Sequence, residues 1–243
     1  MFNLNTIKIG VFDSGIGGLT VLNELKKTLP FGELFYLGDN ANTPYGNKSN
    51  TELLRLDVSG VNKLISYGAN VVVIACNTLS LSVLSHLSRI FYGVHFFGVF
   101  PPVESFFITK SNYLVLATAS SVSSLKKRYP NVNAFALPNL AKDIENNIYN
   151  LKAVNLSKHL VGVDNFYGKV ILGCTHYAFL QAEFEKYFNT ATVLSSGKLT
   201  ASIVANFVKS TCFDHFSKKI KINFIGDFAD KNFQIFDKFY SKT

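Results

Sequence analysis

The sequence predicts an α/β protein of two pseudo-symmetric α/β domains, each a mainly parallel sheet flanked by helices, with the active site in the cleft between them. Three observations lead there. Short β-branched runs alternate with amphipathic stretches along the whole chain, the pattern of repeated strand–helix units. The run Asn70–Ala75 is almost wholly aliphatic, as a parallel strand covered on both faces must be. Finally, Val72-Val73-Ile74-Ala75-Cys76-Asn77-Thr78 is echoed by Val170-Ile171-Leu172-Gly173-Cys174-Thr175-His176. Each is a hydrophobic strand, a small residue, a cysteine, and two hydrogen-bonding residues that open a helix.

Taken in order, Ile7–Phe12 reads as the first strand, followed by a Gly-rich turn. The next helix sets Leu19, Leu22, Leu25 and Leu29 on one side. Leu34–Leu37 is a strand, and the stretch Leu53–Tyr67 carries Leu53, Leu54, Val61, Leu64 and Ile65 near a 3.6 period. After the aliphatic strand come a strand at Tyr113–Ala117 and a helix at Val122–Arg128. A strand at Lys169–Gly173, a helix at Tyr177–Phe188, a strand at Ile220–Gly226 and a helix at Ala229–Tyr240 complete the series. A weaker echo links Gly10–Ser14 with Leu116–Ser121. Breaks near Gly93–Pro102 and Ser195-Ser196-Gly197 mark two crossings. They divide the chain into a first domain of residues 1–97 plus 198–243 and a second of residues 98–197.

With 243 residues, 48% hydrophobic and 16% charged, the chain can bury a sizeable core and is not a disordered polymer. The net charge of +8 first suggests an acidic partner. Its lysines are scattered, however, and no nucleic-acid motif accompanies them, so a solvated basic surface is expected and no nucleic acid. No apolar run approaches the 18–20 residues of a membrane span, so no membrane partner is expected. The strand pattern begins close to the first residue, with no leader and no regulatory N-terminal extension expected. Three dispersed cysteines, Cys76, Cys174 and Cys212, exclude a disulfide framework and a Cys-x-x-Cys clip, and point to reduced thiols in a cytoplasm. No metal is expected, because no His-x-x-x-His or carboxylate cluster accompanies them.

An isolated cysteine at a strand end is most often inert core. Cys76 and Cys174 stand instead where a strand gives way to a helix, whose dipole and unpaired N–H groups favour a thiolate. Asn77, Thr78, Thr175 and His176 would be wasted in a core and useful around a polar ligand. Cys212, within Phe207–Phe216, reads as a packing residue. Asp13 ends the first strand, where it could relay a thiol's proton or cap the following helix. Gly15, Gly17 and Gly18 lack the Gly-x-Gly-x-x-Gly spacing and follow an acidic residue, so they read as a loop that passes close to a small ligand rather than a dinucleotide site. Pro44-Tyr45-Gly46 is a turn lying just past the strand end at Leu37-Gly38-Asp39. Two thiols could run acyl transfer with His176 as base. As an opposed acid and base they could move a proton from one face of a carbon to the other. Matched groups on two pseudo-symmetric halves favour the second.

These residues together resemble the aspartate/glutamate racemase family. The likeness rests on Gly10–Thr20, Gly38-Asp39 with Pro44-Tyr45-Gly46, Ala75–Thr78, Ala117-Thr118 with Ser121 and Ser124, and Leu172–Tyr177. The resemblance implies cofactor-independent interconversion of L- and D-glutamate, supplying D-glutamate for bacterial peptidoglycan, by a cytoplasmic homodimer. It implies that Cys76 takes the α-proton from the D-enantiomer and Cys174 from the L-enantiomer, assisted by Asp13 and His176 respectively. It places Asp13, Ser14, Tyr45, Gly46, Asn77, Thr78, Thr118, Ser121, Thr175 and His176 around the substrate, with the acidic Glu145 close behind. A relative acting on aspartate or another small acid would share this machinery, and a Cys–His hydrolase or acyl transferase is the alternative from another class. The chain departs from the family at Asn40-Ala41-Asn42, where Thr-Ala-Arg is common. It departs also at Lys142-Asp143, where Pro-Leu is usual, at Ala178, where a proline often follows His-Tyr, and at Ser195, where Asp is frequent.

Overall fold

A computed structural model of the chain describes residues 7–30, 32–104, 112–211 and 220–241. Among these residues, nine strands form two wholly parallel sheets. The first contains β1 (Lys8–Asp13), β2 (Glu33–Gly38), β3 (Val71–Ile74), β4 (His95–Gly98) and β9 (Lys221–Phe224), in the order β4-β3-β1-β2-β9. The second contains β5 (Tyr113–Ala117), β6 (Ala134–Ala136), β7 (Lys169–Leu172) and β8 (Thr192–Ser195), in the order β6-β5-β7-β8. Read from the other edge, the second order is β8-β7-β5-β6, which matches β4-β3-β1-β2 strand for strand. Both echoes in the sequence therefore have a structural counterpart: β7 corresponds to β3, and β5 to β1.

Local chemistry explains the helices. Ser49 caps the helix Asn50–Ser66 by accepting from the Glu52 N–H at 3.2 Å, and Thr118 caps Ala119–Arg128 by accepting from the Ser121 N–H. Leu19, Leu22, Leu25 and Leu29 are all buried along the helix Gly18–Thr28, as their spacing requires. One continuous apolar cluster joins Val11, Leu19 and Leu22 of the first half to Leu116, Leu172 and Tyr177 of the second. A second cluster around Phe12, Tyr45, Leu53 and Leu79 lies within the first half.

Several elements depart from the expectation. The Gly93–Pro102 break contains β4, whose Gly98 pairs with Ile74 and closes the edge of the first sheet. At Ser195-Ser196-Gly197 no loop intervenes: Ser195 ends β8, and Ser196 begins the helix Ser196–Thr211 directly. That helix packs on Gly18–Thr28, with the bare Gly197 against Val21. The helix expected at Tyr177–Phe188 is split into a 3-10 turn, Thr175–Leu180, and a short helix, Gln181–Tyr187. Cys212 lies outside the described residues. Among those described, no helix is long and apolar enough to cross a membrane.

Candidate active site

Parallel strands point their C-terminal ends the same way, and in open α/β sheets that edge holds ligands. Here the edges of both sheets deliver their turns to one narrow cavity of about 30 Å³. Cys76, Asn77 and Thr78 enter it after β3, and Cys174, Thr175 and His176 after β7. Ser14 follows β1, Thr118 follows β5, and Pro44, Tyr45 and Gly46 come from the loop after β2. Asp13 and Ser121, expected on the same wall, stand behind it: both are fully buried and neither lines the cavity. A larger hollow of about 460 Å³ near Phe100, Leu125 and Tyr129 contains no cysteine or histidine, so size does not identify the site. Among the described residues, no cluster of three or more His, Cys, Asp or Glu could hold a metal ion.

Cys76 sits against a buried anion. Asp13 is anchored by the loop it precedes: its Oδ2 accepts from Gly15 N–H at 3.1 Å and Gly18 N–H at 2.9 Å, while Oδ1 has no hydrogen-bond partner among the described residues. Burial raises the Asp13 carboxyl above its ordinary value, against the opposing charge of His176 and those two N–H bonds. Burial and then the Asp13 charge push the Cys76 thiol up, opposed in part by the Leu79 N–H and Ser14. The proton is therefore held on Cys76.

Cys174 meets the opposite environment. Its Sγ is 4.0 Å from His176 Nδ1, and His176 Nε2 is 2.6 Å from Glu145 Oε2. Burial pulls the imidazole toward its neutral form, but the Cys174 sulfur and the Glu145 carboxylate outweigh it and hold His176 well above its usual range. Burial would raise Glu145 in turn. The hydrogen bond and charge of His176, with Lys231 and the Ile16 N–H, bring it below its ordinary value instead. The result is a buried ion pair whose cation abuts the sulfur.

The glycines of the first loop leave room for the side chains of the site. A Cβ on Gly17 would stand 2.4 Å from His176 Nδ1, one on Gly15 3.0 Å from Glu145 Oε2, and one on Gly18 2.5 Å from the Asp13 Cβ. Their spacing in sequence shows only that the loop is bare. Across the cleft, Thr78 Oγ1 lies 3.3 Å from Thr118 Oγ1 and 3.2 Å from Ser121 Oγ, a hydroxyl triangle joining the two halves. The Asn77 amide donates to the Val99 carbonyl at 3.1 Å, leaving its Oδ1 buried and without a donor among the described residues.

Sequence reading missed the importance of Asp39. Its carboxylate accepts from Tyr45 Oη at 2.5 Å and from Asn42 Nδ2 at 2.9 and 3.0 Å, so it sets the wall that Tyr45 forms. Its place at a strand end was the available signal. Tyr36 was also missed; its Oη donates to the Gly15 carbonyl at 2.6 Å and secures the bare loop. Nothing local distinguishes it from an ordinary strand tyrosine.

No family model matches the chain. Individual proteins do. It is 36% identical over 213 residues to the glutamate racemase of Staphylococcus epidermidis, covering 81% of this chain and 79% of that one. To the glutamate racemase of Aquifex aeolicus it is 34% identical over 218 residues, with 84% of each chain covered. The crystal structure of glutamate racemase from Thermus thermophilus, in complex with beta-chloro-D-alanine, superposes with a TM-score of 0.81 at 29% identity, covering 97% of this chain and 93% of that one.

Proposed function

The chain belongs to the glutamate racemase family, and on that premise we propose that it interconverts L- and D-glutamate by passing the α-proton between Cys76 and Cys174. The observation that carries this reading is that two cysteines on equivalent turns of two matching sheets line one cavity. From L-glutamate, Cys174 Sγ removes the α-proton, and the C–H electron pair is left on the α-carbon beside the carboxylate. Cys76 then delivers its own proton to the opposite face, giving D-glutamate and leaving Cys76 as the thiolate. The reverse direction exchanges the roles. The resting proton on Cys76 matches the first of these directions.

An α-proton next to a carboxylate is a weak acid, so the site has to supply donors preorganised around the developing charge. Ser14, Thr78, Thr118 and Thr175 offer hydroxyls, with backbone N–H groups at the helix starts after each cysteine. Asn77 Oδ1 is an acceptor suited to the substrate ammonium. Asp13 and His176 relay the protons that reset Cys76 and Cys174 between turnovers, with Glu145 holding His176. Asp13 and Ser121 act from behind the wall, Asp13 through Cys76 and Ser121 through Thr78 and Thr118. The cavity these groups line is narrow, about 30 Å³.

The wider reading is a cytoplasmic homodimer that supplies D-glutamate for peptidoglycan. The domain division, residues 1–97 with 198–243 and residues 98–197, belongs to it. Its support is that each sheet takes its strands from one of those groups, save that β4 of the first sheet runs one residue past the boundary, to Gly98.

Incubation with L-glutamate in D₂O, without pyridoxal phosphate, tests the reading. Deuterium should appear at the α-carbon of D-glutamate. No exchange and no D-glutamate would overturn it, and faster exchange with L-aspartate would move the substrate to the shorter acid. A Cys–His hydrolase would instead keep substantial activity in Cys76→Ala.

A further inference from the structure

Two amides that the reaction above does not use stand behind Glu145. Asn40, just beyond β2, donates from Nδ2 to Glu145 Oε1 at 3.3 Å. Its Oδ1 accepts from Asn232 Nδ2 at 3.2 Å, and Asn232 belongs to the helix Ala229–Tyr240 at the far end of the chain. With His176 and Cys174 these groups make one unbroken series, from a C-terminal helix to a cavity-lining sulfur.

The polarity of the series is dictated by chemistry. A carboxylate only accepts, so Asn40 has to turn its NH₂ toward Glu145 and its carbonyl toward Asn232. Asn232 must then present its own NH₂. Each amide has one orientation, and both oxygens of the Glu145 carboxylate have partners, Oε1 in Asn40 and Oε2 in His176. Packing alone does not account for Asn232. It is fully buried, and its Oδ1 has no hydrogen-bond partner among the described residues, a cost that a leucine of similar size would avoid. A Cβ on Gly38 would meet the Gly15 carbonyl first, at 2.5 Å, and then the pair, at 2.9 Å from Asn40 Oδ1 and 3.0 Å from Asn232 Nδ2.

We infer that Asn40 and Asn232 are positioning residues that hold the Glu145 carboxylate in one rotation and thereby keep His176 seated against Cys174. The inference rests on the two-cysteine reading. Its consequence falls first on Cys174, since no hydrogen bond of the series reaches Cys76.

A test has to respect the equilibrium. Enantiomers are equal in energy, so kcat/KM for the two directions must fall together, and rates alone cannot reveal which cysteine is affected. Deuterium at the α-carbon can. If removal of the proton by Cys174 becomes slower, the primary isotope effect should rise with α-deuterated L-glutamate and fall with α-deuterated D-glutamate. Asn40→Ala removes both contacts. Asn40→Asp keeps the shape and the bond from Asn232 but cannot donate to Glu145 when ionised, and Asn232→Ala removes the outer support. For Asn40→Ala we expect kcat/KM to drop about tenfold, a part of the roughly 10²–10⁴-fold that a positioned acid–base group contributes. The isotope effects should diverge in the stated sense, and the NMR titration of His176, identified with His176→Gln, should move toward lower pH. Asn232→Ala should show the same signature more weakly.

Unchanged isotope effects and an unchanged His176 titration, with only a lower melting temperature, would overturn the inference and leave these residues as a structural tie. Should Asn40→Ala fail to fold, Asn40→Asp and Asn232→Ala carry the same test. Absence of α-deuterium exchange in the parent enzyme would instead sink the two-cysteine reading itself.

Discussion

The turns after β3 and β7 have the same backbone plan, yet their cysteines live in opposite fields. Behind Cys76 stand the Asp13 carboxyl and an apolar cluster that includes Tyr45 and Leu79. Behind Cys174 stands a polar series that leads through His176 and Glu145 to two amides. Even the helices differ, since Asn77–Ser82 is α-helical whereas Thr175–Leu180 winds as a 3-10 turn. Duplicated architecture brings both thiols to one cavity, and the surroundings behind them are unlike. The two-base reaction proposed above needs a thiol from each half.

The severest break in this comparison would be a single sufficient cysteine. Cys76→Ala and Cys174→Ala are each expected to reduce racemisation by at least about 10³-fold, within the range seen when one member of a catalytic unit is removed. Chiral chromatography of glutamate would measure it. Either variant keeping a tenth of turnover would end the symmetric requirement.

A smaller change tests the Cys76 side alone. Asp13→Asn should lower turnover about 10²-fold. Because the Asp13 charge helps to push the Cys76 thiol up, the same variant should let Cys76 be alkylated at lower pH. An unaltered pH dependence of alkylation would remove Asp13 from this role.

The Cys174 side is sharpened by stability against pH. His176 is raised in the fold, so its contribution is complete below its ordinary value near 6.5 and disappears as pH climbs through the elevated one. Glu145 is lowered, so its contribution is complete above about 4.3 and disappears as pH falls through the depressed value. The pair therefore stabilises most between roughly pH 4.3 and 6.5. Urea midpoints of wild type and Glu145→Gln should differ most in that window and converge toward alkaline pH; a constant gap would contradict the ion pair.

The least effect on catalysis comes from Asp57, which has no equivalent among the groups named behind Cys174. This carboxyl is fully buried on the apolar side of the helix Asn50–Ser66, between Leu53, Leu56, Gly60 and Val61, and neither oxygen has a hydrogen-bond partner among the described residues. Burial raises it well above the ordinary value, so it costs stability as pH rises from about 3.9 toward that elevated value. Asp57→Leu should stabilise by about 1–3 kcal/mol at neutral pH and by less in acid, with turnover unchanged. Denaturant titrations at two pH values would show it, and a loss of turnover would instead tie Asp57 to the site.

Long elements with regular burial were legible in the sequence. The helix Gly18–Thr28 and the strands β1, β3, β5 and β7 carry enough consecutive apolar residues to declare their period. The missed strands β4, β6 and β8 are three or four residues long and lack full burial, so their pattern is too short to stand out from a loop. The helices Ser196–Thr211 and Leu140–Asn146 went unread for another reason: Ser-Ser-Gly and Pro-Asn look like loop chemistry and here only begin helices.

Sequence by itself determined the class of fold, the doubling, and the pair of cysteines with their flanking hydrogen-bonding residues. All of these are local patterns or repeats of them. Only the tertiary structure decided which groups stand behind each sulfur. Glu145 is 31 residues from His176, Asn40 is 105 from Glu145, and Asn232 is 192 from Asn40. Contacts over such separations leave no periodicity in the chain, because they arise where strand ends from two sheets and a C-terminal helix meet. The reactivity of a thiol depends on that meeting, since burial and neighbouring charge set its proton affinity, and neither is a property of the cysteine's own segment.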